Sequence, residues 1–211
     1  MGPNIGTGAG YEWKTADKVA VYLEAQEGAD LKAQIASAHG HMLDLMGFPA
    51  DTSLLFLDLG AGAGAVSASV MSRHPRAKGI LADMSSPMMQ NGAEKLTPFT
   101  GRYSYVEYDM NSDEWPASMA GPFEAVVSAR AIHHLSDERK GWIFQRAFEA
   151  LTPGGAFANW DLFRQPDEPQ KPEHPTATIE AQLVLLRAAG FVDVSCTHEV
   201  GHRAVFFGRK P

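Results

Sequence analysis

Leu55-Phe56-Leu57-Asp58-Leu59-Gly60-Ala61-Gly62-Ala63-Gly64 is an apolar run that carries an acid near its end and closes in three alternating glycines. The run is short and continuous, which reads as a buried strand. The glycines permit a sharp turn and let backbone N–H groups approach a ligand. The Ala/Ser/Val-rich stretch up to Arg73 then opens a helix, whose N-terminus favours polar or anionic ligand groups. Strand, glycine turn and helix together predict the nucleotide-binding corner of an α/β sheet.

Two kinds of nucleotide fit this corner. Gly60-x-Gly62-x-x-Ala65 satisfies the dinucleotide fingerprint, which tolerates Ala at its third position. Asp58, two residues before the first glycine, argues the other way. A diphosphate gains nothing from a carboxylate beside its cradle, whereas a cofactor carrying an ammonium group and a sulfonium does.

Working outward, 211 residues with 45% apolar content suit one soluble globular domain. No apolar run approaches the roughly 18–20 residues of a membrane span. Met1-Gly2-Pro3-Asn4-Ile5-Gly6 lacks the basic and apolar regions of a signal peptide. A single cysteine, Cys196, excludes an internal disulfide framework and fits a reducing, cytoplasmic setting. Its plain reading is an apolar position on a late strand. The formal net charge of −7 and the scattered Lys and Arg residues argue against a nucleic-acid partner.

Helical spacing of apolar residues predicts helices at about 16–27 and 30–46, the second stopped by Gly47-Phe48-Pro49. From Leu54 onward strands and helices alternate. Strands are expected at 54–59, 79–83, 103–108, 123–129 and 156–162, with a terminal hairpin at 191–198 and 203–208. Ser86-Pro87 is expected to cap and open one helix, and Ser136 another. Residues 165–175, rich in proline and charge, read as a linker or flap. The pattern predicts a doubly wound, mostly parallel seven-stranded sheet with helices on both faces and an antiparallel C-terminal hairpin. Ligands in such sheets lie outside the strand carboxyl ends, where the strand order reverses. Asp58, Asp83, Asp109 and Ala129-Arg130 all fall at predicted strand ends.

The apolar-Asp-x-Gly-x-Gly-x-Gly pattern of residues 57–64 resembles the first motif of the class I, Rossmann-like S-adenosylmethionine-dependent methyltransferases, in their small-molecule branch. The likeness covers about residues 54–208. It implies that Asp58, Gly60, Ala61 and Gly62 hold the cofactor. Asp83 matches the acid that accepts from both ribose hydroxyls. Asp109-Met110 resembles the motif that meets the adenine amine, with Met84 and Met110 flanking the ring. The segment from Val126 to Leu135 resembles the fourth-strand region beside the methionine part, which places Ala129 there. Leu151-Thr152-Pro153-Gly154-Gly155 resembles the turn before the fifth strand. On this reading 51–211 is the core, and 1–50 is an N-terminal helical cover belonging to the same domain.

The histidines give no zinc-site spacing, so no metal is expected. His133 or His134 could instead serve as a general base or position the acceptor. Tyr11, Trp13 and Arg130 are candidates to face the substrate, with Tyr22 a further cover residue. The short segment 163–177 predicts a pocket that is open, or completed by a second subunit of a homodimer. The expected reaction moves a methyl group in line to an O, N, S or C atom of a small molecule, leaving S-adenosyl-L-homocysteine. A nicotinamide-dependent oxidoreductase is the competing reading, because Gly60, Gly62, Ala65 and Asp83 suit it too. A cofactor-binding module without turnover, and a relative acting on tRNA, are the others.

Overall fold

Seven strands form one sheet in the order β3-β2-β1-β4-β5-β7-β6. The computed structural model describes residues 15–25, 28–170 and 175–211. Helices α1 (Ala16–Ala25) and α2 (Ala29–Met46) precede β1 (Leu55–Leu59). Then come α3 (Ala65–Arg73), β2 (Lys78–Asp83), α4 (Ser86–Lys95) and β3 (Tyr103–Glu107). The second half runs β4 (Phe123–Ala129), α5 (Asp137–Ala150), β5 (Leu151–Leu162), α6 (Ile179–Ala188), β6 (Val192–Val200) and β7 (Arg203–Arg209). Strands β1 to β5 pair in parallel, and β7 lies antiparallel between β5 and β6.

The period of two along each strand divides the core between two faces. Phe56, Ala125, Val127, Ala158 and Phe207 pack with α2 and α3. Their neighbours Leu57, Val126, Phe157 and Phe206 pack with α5 and α6. Each large apolar side chain removed from water contributes about 1.5–3 kcal/mol. That is why the central strands read as continuous apolar runs: both of their faces are covered.

Local signals explain most helix ends. Gly47 at φ 68° closes α2, with its N–H donating to the Leu43 carbonyl. Ser136 and Thr178 cap α5 and α6 through their hydroxyls. One cap differs from expectation. Ser85, not Ser86, caps α4, because its extended backbone lets Oγ accept from the Met88 N–H at 3.2 Å, while Pro87 sits in the first turn. The fifth strand also begins earlier than its sequence suggests. Leu151 pairs with Phe123, residues 152–155 bulge outward, and the ladder resumes at Ala156.

The sheet order reverses between β1 and β4, and the turns after these strands touch. Gly60, at φ 68°, approaches the turn after β4 so closely that an added Cβ would lie 2.2 Å from the Ala131 Cβ. Gly60→Ala is therefore expected to destabilise by about 2–4 kcal/mol, combining left-handed strain with overpacking. An unchanged urea midpoint for this variant would contradict the close approach.

Candidate active site

A cavity of about 290 Å³ opens at this reversal, outside the carboxyl ends of β1, β2 and β4. Its wall includes the glycine turn from Gly60 to Gly64, the start of α3, Asp83 with Met84 and Met88, and Tyr108 to Asn111. Ala129, Arg130, Ala131, His134 and Leu135 close the side after β4, and Tyr22, Leu23 and His39 reach in from α1 and α2. None of the described residues of 163–177 lines it. That segment is held elsewhere: the buried Lys140 ammonium donates to the carbonyls of Leu135 and Pro175 at 2.6 Å each and to Asp137 at 2.9 Å.

The glycine turn does not offer its amides as expected. The N–H groups of Gly60 and Ala61 both donate to the Ala82 carbonyl, at 2.9 and 3.0 Å. The Gly62 N–H donates to Asp83 Oδ2 at 2.7 Å, and the Gly64 N–H to the Ala61 carbonyl at 2.8 Å. Turn and β2 thus satisfy each other, and no nest of amides remains among these four to cradle a diphosphate.

Asp83 is the centre of this arrangement. Its Oδ1 accepts from the Ser85 N–H at 2.8 Å while Oδ2 holds Gly62. Burial pushes its carboxyl above the ordinary range, and the amide hydrogen bonds work against that rise. Asp109 stands at the end of β3, where Oδ1 accepts from both the backbone and the side-chain nitrogen of Asn111. Arg139 on α5, which sequence reasoning missed, anchors this loop. Its guanidinium donates to the carbonyls of Met110 and Ser112 and to Asp113, and lies 3.8 Å from the centre of the Trp142 ring. Nothing local in the sequence connects residues 110 and 139, since α5 meets that loop only through the fold.

Two residues expected on the wall stand behind it. Asp58 is fully buried on the α3 side of β1, where Ser67 Oγ donates to its Oδ2 at 2.5 Å. Its other oxygen, Oδ1, is buried with no hydrogen-bond partner among the described residues. Burial pushes this carboxyl up to about 7, opposed by the Ser67 hydroxyl and reinforced by the charge of Asp83. The cause is the strand's alternation, which turns position 58 under the glycine turn rather than toward its mouth. His133 likewise points away. Its Nδ1 meets Asp161 Oδ1 at 2.6 Å and its N–H donates to Asp161 Oδ2 at 3.0 Å. His134 alone of the pair lines the cavity, its ring centre 3.9 Å from that of His133. Tyr11 and Trp13 lie outside the described residues.

Residues 56–155 match the model of the methyltransferase domain family. An uncharacterized methyltransferase of Geobacillus kaustophilus is 30% identical over 116 residues, covering 52% of this chain and 50% of that one. The demethylmenaquinone methyltransferase of Chlamydia pneumoniae is 30% identical over 132 residues, covering 63% and 51%. Human N-acetylserotonin methyltransferase, solved with S-adenosylmethionine, superposes with a TM-score of 0.70 at 21% identity, over 94% of this chain and 57% of that one. The matched domain and the shared fold support a class I S-adenosylmethionine-dependent methyltransferase. The chain spans about half the length of the curated relatives it matches.

The cavity fits the cofactor of these methyltransferases chemically. Asp83 and Asp109 are acceptors suited to hydroxyl and amine donors, and Met84, Met88 and Met110 offer polarizable apolar surface between them. A Cβ added at Gly62 would meet only the Met88 sulfur, at 4.0 Å, so this glycine leaves its place in the cavity open. The unpaired Asp58 Oδ1 beneath the turn complements a cation. His39, which sequence reasoning weighed only as a metal ligand, completes the α2 side. Its Nδ1 pairs with Ser69 Oγ at 3.0 Å, and burial followed by the Arg130 charge lowers its pKa to about 4. Among the described residues no group of three His, Cys, Asp or Glu could hold a metal ion. None of the described helices is long and apolar enough to cross a membrane.

Proposed function

We propose that this chain is a methyltransferase that moves a methyl group from S-adenosylmethionine to an O, N, S or C atom of a small molecule. The observation that carries this reading is the pairing of the Gly60, Ala61 and Gly62 amides with β2, beside the cavity-facing carboxylates of Asp83 and Asp109. A dinucleotide would require those amides for its diphosphate, whereas an adenosyl sulfonium compound requires the acids. The acceptors named for two of the proteins above, demethylmenaquinone and N-acetylserotonin, are small molecules, which supports the same class here.

On this reading Asp83 accepts from the ribose hydroxyls and Asp109 from the adenine amine through Oδ2. Met84, Met88 and Met110 flank the adenine. Gly60, Ala61, Gly62 and Ala129 bound the methionine end, where Asp58 provides a buried counter-charge. The helices of residues 1–50 serve as the cover, with Tyr11 and Trp13 as candidates to close it. The cofactor supplies a methyl group already activated by its sulfonium. The chain's own task is to hold the acceptor in line and exclude water, and orientation of this kind can supply roughly 7–11 kcal/mol. His134 is placed to hold the acceptor or to take its proton when attack releases one. His133 serves as a positioning residue through Asp161.

Calorimetry with S-adenosylhomocysteine and NADH tests the cofactor, and the first alone is expected to bind. Asp83→Ala should weaken S-adenosylhomocysteine binding by roughly 1.5–3 kcal/mol, the range for hydrogen bonds to a charged group. Undiminished affinity would remove Asp83 from the site. Screening metabolite pools with isotopically labelled cofactor identifies the acceptor.

A further inference from the structure

The loop after β3 holds one carboxylate still against the cavity. The Tyr108 N–H donates to the Asp83 carbonyl at 3.0 Å, which ties the start of the loop to the end of β2. The Ser112 N–H donates to the Asp109 carbonyl at 2.8 Å and closes a turn. Asp109 Oδ1 is taken by Asn111, so Oδ2 is the oxygen that remains for a ligand. Arg139 clamps this loop from behind. Its Nε and Nη2 donate to the carbonyls of Met110 and Ser112, and Nη1 meets Asp113 Oδ1 at 3.0 Å. The Asp113 side chain is 99% exposed and that of Arg139 only 12%, so the ion pair contributes little beside the two carbonyl bonds. Trp142, one turn along α5, stacks on the guanidinium and meets Trp115 edge-on, and Trp115 meets Tyr108 in the same way. The Arg139 N–H donates to Ser136 Oγ at 3.2 Å, which fixes the base of the clamp to the start of α5. Asp109, Met110 and Asn111 all line the cavity, so the clamp stands directly behind its wall.

We propose that Arg139 is a positioning residue that sets base specificity: by immobilising Asp109, it makes the cavity select a 6-amino purine over a 6-oxo purine. The inference rests on the reading that Asp109 Oδ2 accepts from the adenine amine. An ionised carboxylate only accepts, so a 6-oxygen opposite it sets two acceptors face to face. The 6-oxo base, however, carries an N–H at the neighbouring ring nitrogen. A carboxylate free to slide by one ring position exchanges the amine for that N–H and loses its selectivity. Discrimination therefore depends on fixing the acid as well as supplying it. A rigid planar fork that spans two carbonyls of one loop does this, and a single ammonium on a flexible stem does not.

Calorimetric titration of the full chain with S-adenosylhomocysteine and its 6-oxo counterpart, S-inosylhomocysteine, reads the selectivity as a ratio of affinities. The wild type is expected to favour the amine at least about tenfold, because the 6-oxo base leaves a fixed acceptor without its donor. Arg139→Met, which keeps the length and removes every donor, should bring the two affinities within about threefold of each other. Arg139→Lys, which reaches one carbonyl without spanning two, should fall between. Asp113→Asn should leave the ratio unchanged, and Asp109→Ala should abolish the preference. A clamp of purely structural importance would weaken both ligands alike, so an unchanged ratio in Arg139→Met overturns the proposal. Should that variant fail to fold, an unchanged ratio in Arg139→Lys does the same. A ratio that collapses in Asp113→Asn assigns the effect to the surface ion pair and also overturns it. Selectivity lost in Asp109→Ala but kept in both Arg139 variants overturns the role of Arg139 and leaves the Asp109 reading standing. Equal affinities in the wild type overturn both. Failure of the wild type to bind S-adenosylhomocysteine at all would instead sink the cofactor reading.

Discussion

Asp161→Ala is expected to destabilise the fold by about 3–5 kcal/mol near neutral pH, because it leaves buried donors without the carboxylate that satisfies them, at about 1–3 kcal/mol each. Asp161 is fully buried near the end of β5 and accepts four hydrogen bonds. They come from the ring and the backbone N–H of His133, the Leu162 N–H and the Asn159 amide. Burial on its own would raise this carboxyl. The His133 charge and the hydrogen bonds outweigh burial and hold it below the ordinary range. A carboxyl depressed in the folded state contributes stability above its unfolded pKa of about 3.9 and loses it as pH falls through the folded value. The deficit of Asp161→Ala should therefore be largest at neutral pH and shrink in strong acid. Urea denaturation at both pH values checks this. A neutral-pH midpoint equal to wild type, or a deficit independent of pH, would show that Asp161 is not held as a satisfied carboxylate. The same variant should loosen the turn carrying His134, whose ring lies tilted against that of His133.

Asp58→Asn should act in the opposite direction. The Asp58 carboxyl is raised to about 7 by burial, and one of its oxygens has no hydrogen-bond partner among the described residues. Here the folded chain holds the proton more tightly than the unfolded chain. Stability consequently falls as pH climbs from about 4 to about 7, and the full penalty applies above that. Asparagine removes the charge and keeps an oxygen to accept from Ser67. At about 1.4 kcal/mol per pKa unit, the variant should be more stable than wild type at pH 8 by on the order of 2–4 kcal/mol. The difference should vanish near pH 4, where both side chains are neutral. A less stable variant at pH 8 would mean that the carboxylate is satisfied in its ionised form. A gain in stability with a loss of S-adenosylhomocysteine affinity is the pattern expected of strain retained for binding.

Some of the site was legible before folding, because its signals are local. The acids 83 and 109 follow short apolar runs, and the glycines at 60, 62 and 64 mark a turn by composition alone. Both acids line the cavity. The position of Asp58 was legible but its surroundings were not. Alternation along β1 places residue 58 on the face covered by α3, and only the packed sheet shows that this face is sealed there. His133 and His134 were indistinguishable as neighbours in the chain. Asp161, 28 residues away on the adjacent strand, separates them by capturing the first. Arg139 and His39 left no trace in any motif, since their partners are brought to them by α5 and α2.

What the sequence by itself determined is the alternation of strands and helices, the glycine corner and the acids at the strand ends, all encoded within a few neighbouring residues by periodicity and backbone freedom. The tertiary structure decided which polar groups face the cavity and which satisfy one another: the glycine amides turn to β2, His133 turns to Asp161, and Arg139 turns to the carbonyls of Met110 and Ser112. A buried polar group takes whatever partner packing brings within reach, and that choice is made across strands rather than along the chain.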